Sequence, residues 1–169
     1  MIADRREWPQ SGFPGIAINP ETLTTEVVDE DRCEQAIAAS GDPGDQALVE
    51  LARGHVSAAA EILSEARYRD PESFKLKVLE LDVLRAGNRH DRAVERAQQL
   101  LAEARGTKDE AKVLHYLGKI EFSRGRYAAA VKAFAQALDL RVAQSADASL
   151  IYSSTVALGR ARELLSNEV

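Results

Sequence analysis

The stretch AKVLHYLGKIEFSRGRYAAAVKAFAQALDLRVAQ, residues 111–144, constrains the fold more than any other part of the chain. Leu114, Leu117 and Gly118 fall on one face of a helix, and Gly125-Arg126-Tyr127 supplies a turn. Ala130, Phe134 and Ala137 then recur at helical spacing on a second helix. Small residues at Gly118, Ala130 and Ala137 let two antiparallel helices approach closely, while Leu114, Leu117, Tyr127 and Phe134 fill the space beside them. The rest of the chain agrees with a helical reading. Ala is abundant, aromatics make up 5% and charged residues 29%, and no run of alternating strand residues stands out. That mix suits close-packed helices rather than a sandwich or a doubly wound sheet.

The same pattern recurs upstream. Gly54, Ala59, Leu63, Ala66 and Pro71 repeat the turn glycine, packing alanine, core residue, second alanine and a closing proline at matching offsets, with Ala47 on the preceding helix. A looser middle copy has Leu76, Leu79, Val83 and Ala86 in a stripe, a turn at Gly87-Asn88, then Ala93, Ala97 and Leu100. Its register is open to one residue, because an extra position separates Gly87 from Ala93. Ala59 to Ala93 is 34 residues and Ala93 to Ala130 is 37, the longer step being absorbed by a loop at Arg105-Gly106-Thr107-Lys108. Leu158-Gly159 echoes Leu117-Gly118, and residues 148–165 read as one closing helix with Asp147 as its N-cap.

This spacing of small, aromatic and turn positions resembles the tetratricopeptide repeat, a helix–turn–helix unit of about 34 residues. The resemblance covers roughly residues 40–165. It implies an all-α, right-handed α-solenoid of about three repeats, at 40–72, 73–110 and 111–144, with a capping helix at each end. In that family the first helix of each repeat lines a concave groove that takes extended peptides or partner helices. Carried over by position, the groove would present Phe74, Lys77, Leu81 and Arg85 from the middle repeat. The third repeat would add Lys112, His115, Lys119 and Phe122, and the closing helix Arg160. Cations over an apolar floor favour an acidic peptide or a chain-terminal carboxylate. The alternative stands beside it: lysines on a helix face are ordinarily solvated, and Phe122 would serve equally as a core residue.

The N-terminal part differs in character. Residues 1–50 hold 11 acidic and 3 basic residues, whereas residues 51–169 hold 16 and 19. Trp8-Pro9, Gly12-Phe13-Pro14-Gly15 and Asn19-Pro20 interrupt helix, so residues 1–20 read as an extended or flexible leader. A capping helix is expected over 21–39, broken at residues 41–44, and residues 166–169 form a short tail. The leader either covers the first repeat or docks in a groove with Trp8 and Phe13 as anchors. In the second case it would compete with a partner, and deleting residues 1–20 would tighten partner binding.

Chemistry leaves little trace. His55 and His90 follow turns, the lone Cys33 lacks spaced partners, and no H-E-x-x-H, phosphate-binding glycine motif or G-x-S-x-G occurs. Asp29-Glu30-Asp31 lacks the spacing of a calcium loop and suits a helix start instead. No catalytic residue, metal or cofactor is expected. Neither a Lys/Arg-dense face for nucleic acid nor an apolar run long enough for a membrane is present, and a single cysteine fits a reducing cytoplasm. The expected role is a cytoplasmic, non-enzymatic adaptor or scaffold for a peptide or helix of another protein. A signal-responsive regulator of the peptide-sensing repeat type is the alternative, and an enzyme with an unrecognised site the third. Self-association as a homodimer, through the closing helix or the leader, stands open beside a monomer.

Overall fold

The computed structural model describes residues 4–168. Most of them lie in eight helices: α1 Glu30–Ala39, α2 Pro43–Ala52, α3 Val56–Arg69, α4 Phe74–Ala86, α5 His90–Ala104, α6 Glu110–Ser123, α7 Tyr127–Ala143 and α8 Ala148–Ser166. None of them is long and apolar enough to cross a membrane. The chain divides into two compact units, the first ending at Gly87 and the second beginning at Asn88. The division falls inside the stretch expected to be the middle repeat, so α4 belongs to the first unit and α5 to the second.

In the first unit, α2, α3 and α4 pack on one another around Ala47, Leu51, Ala59, Leu63, Ala66, Leu76, Leu79 and Val83, all buried. Nearly every one is a position that the helical spacing singles out. In the second unit, α6 packs on α5 and α7, and α8 runs along α7. Gly118 explains how close α6 and α7 come: a Cβ added there would lie 2.6 Å from the Phe134 ring. Phe134 itself is fully buried.

The turns repeat one geometry. Gly54 and Gly125 adopt φ of +84° and +74° with open space around them, so the left-handed backbone alone selects glycine there. After each, an amide reaches back six residues' span to close the helix: His55 N to Glu50 O at 2.9 Å, and Arg126 N to Glu121 O at 2.9 Å. In the middle copy the left-handed residue is Asn88, φ +59°, and not Gly87. That removes the apparent extra residue, because Gly54, Asn88 and Gly125 each precede their packing alanine by five positions.

The N-terminal part departs from expectation. Residues 1–20 are expected to be extended or flexible and 21–39 helical. Instead β1, Ile16–Ile18, pairs antiparallel with β2, Thr25–Val27, with Ile16 opposite Val27 and Ala17 opposite Glu26. The helix starts only at Glu30. Thr24-Thr25 and Val27-Val28 give a β-branched run that pairs better as a strand than it winds. Asp29 then caps α1, its carboxylate accepting from Arg32 N at 3.1 Å, with Glu30 and Asp31 in the first turn. Gly15 seats the hairpin on that cap. Its carbonyl accepts from Val28 N at 2.8 Å, and a Cβ there would collide with the Asp29 carbonyl. Ile16, Cys33 and Val49 form a buried cluster beneath, with Phe13, Val27 and Ile37 against it.

Candidate functional site

The residues expected to line a groove fall into two sets, one in each unit. In the first unit, Phe74 opens α4 and is half-buried, and Lys77 Nζ lies 3.2 Å from Glu72 Oε2. Leu81 is only 1% exposed. Arg85 is buried as well: Nη1 and Nη2 each donate to the Leu23 carbonyl at 3.3 Å, and Nη2 donates to buried Asp82 Oδ1 at 3.1 Å. Leu81 and Arg85 are therefore interior residues. What meets Arg85 is the chain's own loop between β1 and β2, where Leu23 takes φ +59°. Trp8 is buried with no acceptor for its Nε1, and Arg5 stacks over its ring at 5.4 Å. Phe13 is half-buried on the Ile16–Cys33–Val49 cluster. Both aromatic anchors are thus used inside the first unit.

In the second unit, His115, Lys119 and Phe122 are buried, and α8 meets α6 at His115 through Ser154. Lys119 is 2% exposed with Nζ 4.6 Å from the Tyr116 ring centre, a cation–π contact. Phe122 packs edge-on to Tyr127 at 5.5 Å, which is the core role. His115 sits 5.3 Å from the Phe134 ring, and its Nδ1 lies 3.1 Å from Ser154 Oγ. Lys112 alone of this set is exposed. Arg160 is half-buried and bonded to Glu163 Oε2 at 3.0 Å.

A residue not anticipated from sequence organises this end of the unit. Arg141 is 5% exposed, and its Nη1 donates to Leu150 O at 3.0 Å and Ser154 Oγ at 2.7 Å. Among the described residues no carboxylate pairs with it. Burial pushes its pKa down, against a smaller opposing effect of Tyr116. The signal was readable: Ala130, Phe134, Ala137 and Arg141 form one helical stripe, and a cation ends an otherwise apolar row.

Arg141 lines a recess of about 670 Å³. The loop at 106–109 and the first turn of α6 form one wall, the end of α7 another, and Ala146 with Leu150 the third. The α6 N-terminus faces it without a side-chain cap, since Asp109 makes no capping bond. Unpaired amides and the helix dipole make such an end electropositive. Lys108 and Lys112 add cations to the rim, and Asp109 and Glu110 oppose them, Glu110 Oε2 being taken up by Gly106 N at 3.0 Å. Asp147 stands at the start of α8 as expected, although its carboxylate makes no capping bond. No group of three His, Cys, Asp or Glu side chains among the described residues gathers as a metal site.

The chain matches no protein-family model, no curated protein and no solved structure at a significant level.

Proposed function

We propose that the protein is a non-enzymatic interaction module, an adaptor or scaffold that holds a peptide or helix of another protein in the cytoplasm. The reading takes the helices as tetratricopeptide-like repeats of a right-handed α-solenoid with covers at both ends. One observation carries it: a left-handed residue precedes a packing alanine by five positions at Gly54, Asn88 and Gly125. Matching left-handed turns, with α2 packed on α3 and α6 on α7, support a repeat array, and such arrays work as extended binding surfaces.

The partner contact is placed on the exposed part of the second unit rather than on its buried lysine. Lys112 is exposed there, and Leu150 and Tyr152 are exposed large apolar side chains of α8. An acidic segment with one apolar anchor suits that set. A pulldown comparing wild type with Lys112→Glu and Tyr152→Glu, each shown folded by circular dichroism, tests this. Loss of a retained protein in both variants supports the reading. Equal retention by all three moves the contact elsewhere. If α8 instead joins two copies, Tyr152→Glu halves the mass seen in sedimentation. A signal-responsive regulator is the second reading, favoured by the buried, carboxylate-free Arg141 beside an open recess.

A further inference from the structure

We propose that the groove between α5 and α7, floored by α6, binds a small organic ammonium carried on an apolar body, with Glu121 as its counter-charge. The groove offers about 660 Å³, within the range of about 300–1,000 Å³ that small-molecule sites occupy. Leu101, Leu114, Leu117, Ala133 and Leu140 line it with apolar surface. Glu121 lines it too and is buried, with 8% exposure. Its Oε1 accepts from Arg124 Nη1 at 3.1 Å, while its Oε2 is buried and meets no donor. A buried carboxylate oxygen without a donor is costly, more so than a neutral acceptor. An ammonium N–H supplies the missing bond and the opposite charge together.

The counter-charge already present is divided. Arg124 serves Asp91 Oδ1 at 2.9 Å as well as Glu121, so two carboxylates share one guanidinium. Lys132 also lines the groove, but it is exposed and no bond reaches Oε2. Arg105, Glu110 and Asp139 add charges of both signs to the lining, so the buried oxygen, rather than the rim, selects a cation. A turn of the carboxylate about its soft terminal torsion presents Oε2 to the groove. The head group then lies at Glu121. The body follows Leu117 and Leu114, which succeed one another at helical spacing on the same face of α6.

The inference goes beyond the adaptor reading and is tested without any protein partner. Isotope-labelled full-length chain is titrated with hexylammonium at constant ionic strength, following amide resonances, beside hexanol, hexanoate and methylammonium. Saturable shifts at residues 98–105, 114–121 and 129–140 are expected with hexylammonium and absent with hexanoate. Glu121→Gln keeps the size of the side chain and an acceptor for Arg124, and should weaken binding about ten-fold or more. Lys132→Ala, at an exposed position, removes a competing cation and should tighten binding about two- to five-fold. Should Glu121→Gln fail to fold, Lys132→Ala and the hexanol comparison decide. Shifts that never saturate, or that neither variant alters, overturn the site. Hexanol binding as tightly as hexylammonium overturns the role of the carboxylate, and methylammonium binding as tightly overturns the apolar body.

Discussion

Alanine at position 118 would set a methyl group 2.6 Å from the Phe134 ring, and both elements carrying these residues are held by their neighbours. Overpacking of this kind costs about 1–3 kcal/mol. Gly118→Ala should therefore lower the denaturant midpoint of the second unit, and pairing it with Phe134→Leu should return part of the loss. A buried ion pair gives the matching prediction in the first unit. Arg85→Ala removes a buried partner of both Asp82 and the Leu23 carbonyl and should cost about 3 kcal/mol or more. Asp82→Leu in the same chain should recover much of it. Cys33 has no exposed surface, and burial raises its pKa, with nearby Arg53 pulling the other way. Thiol reagents should label it only as fast as the first unit opens; labelling within seconds in the native state would contradict this burial.

At the scale of elements, the helices were legible because their small and apolar residues keep one period. Ala47, Ala59, Ala66, Ala93, Ala97, Ala130 and Ala137 are all buried, each on the face its spacing assigned. Two kinds of information were not in that period. Asn88 substitutes for glycine in a left-handed turn, so a search for glycine put the middle turn one residue early. The hairpin of residues 16–27 depends on partners distant in sequence, Val49 on α2 and Arg85 on α4 among them, which no local pattern announces. The same gap explains the groove: His115 and Lys119 are interior, and His115 is met by Ser154 of α8, 39 residues away in sequence. The leader contributes buried side chains to the first unit. Removing residues 1–20 takes away Trp8, Ile16 and Ala17, all buried, and should lower the stability of the first unit in chemical denaturation.

Across the whole molecule the acid response should be unequal. The hydrogen bond from Lys75 holds the Asp42 carboxyl below its usual range, with Lys75 Nζ 2.5 Å from Asp42 Oδ2. A depressed carboxyl stabilises above the ordinary carboxylate range and loses that contribution as pH falls through its lowered value. Both groups are substantially exposed, so the effect is modest and salt-sensitive. Trp8 is the sole tryptophan and lies in the first unit, so its fluorescence follows that unit while circular dichroism follows both. Asp42→Asn should flatten the acid limb of the fluorescence-detected stability profile below about pH 4. An unchanged limb would mean that other carboxylates carry it.

The bond from Arg85 to the Leu23 carbonyl spans 62 residues of chain. During synthesis at about 5–20 residues per second, Leu23 is made roughly 3–12 seconds before its partner exists. Through that interval the loop at Leu23 lacks its Arg85 partner, and the outer edges of the β1–β2 pair are of the kind that invites association with other nascent chains. The acidic character of residues 1–50 then acquires a use in time rather than in the finished molecule: like-charged chains repel while they wait.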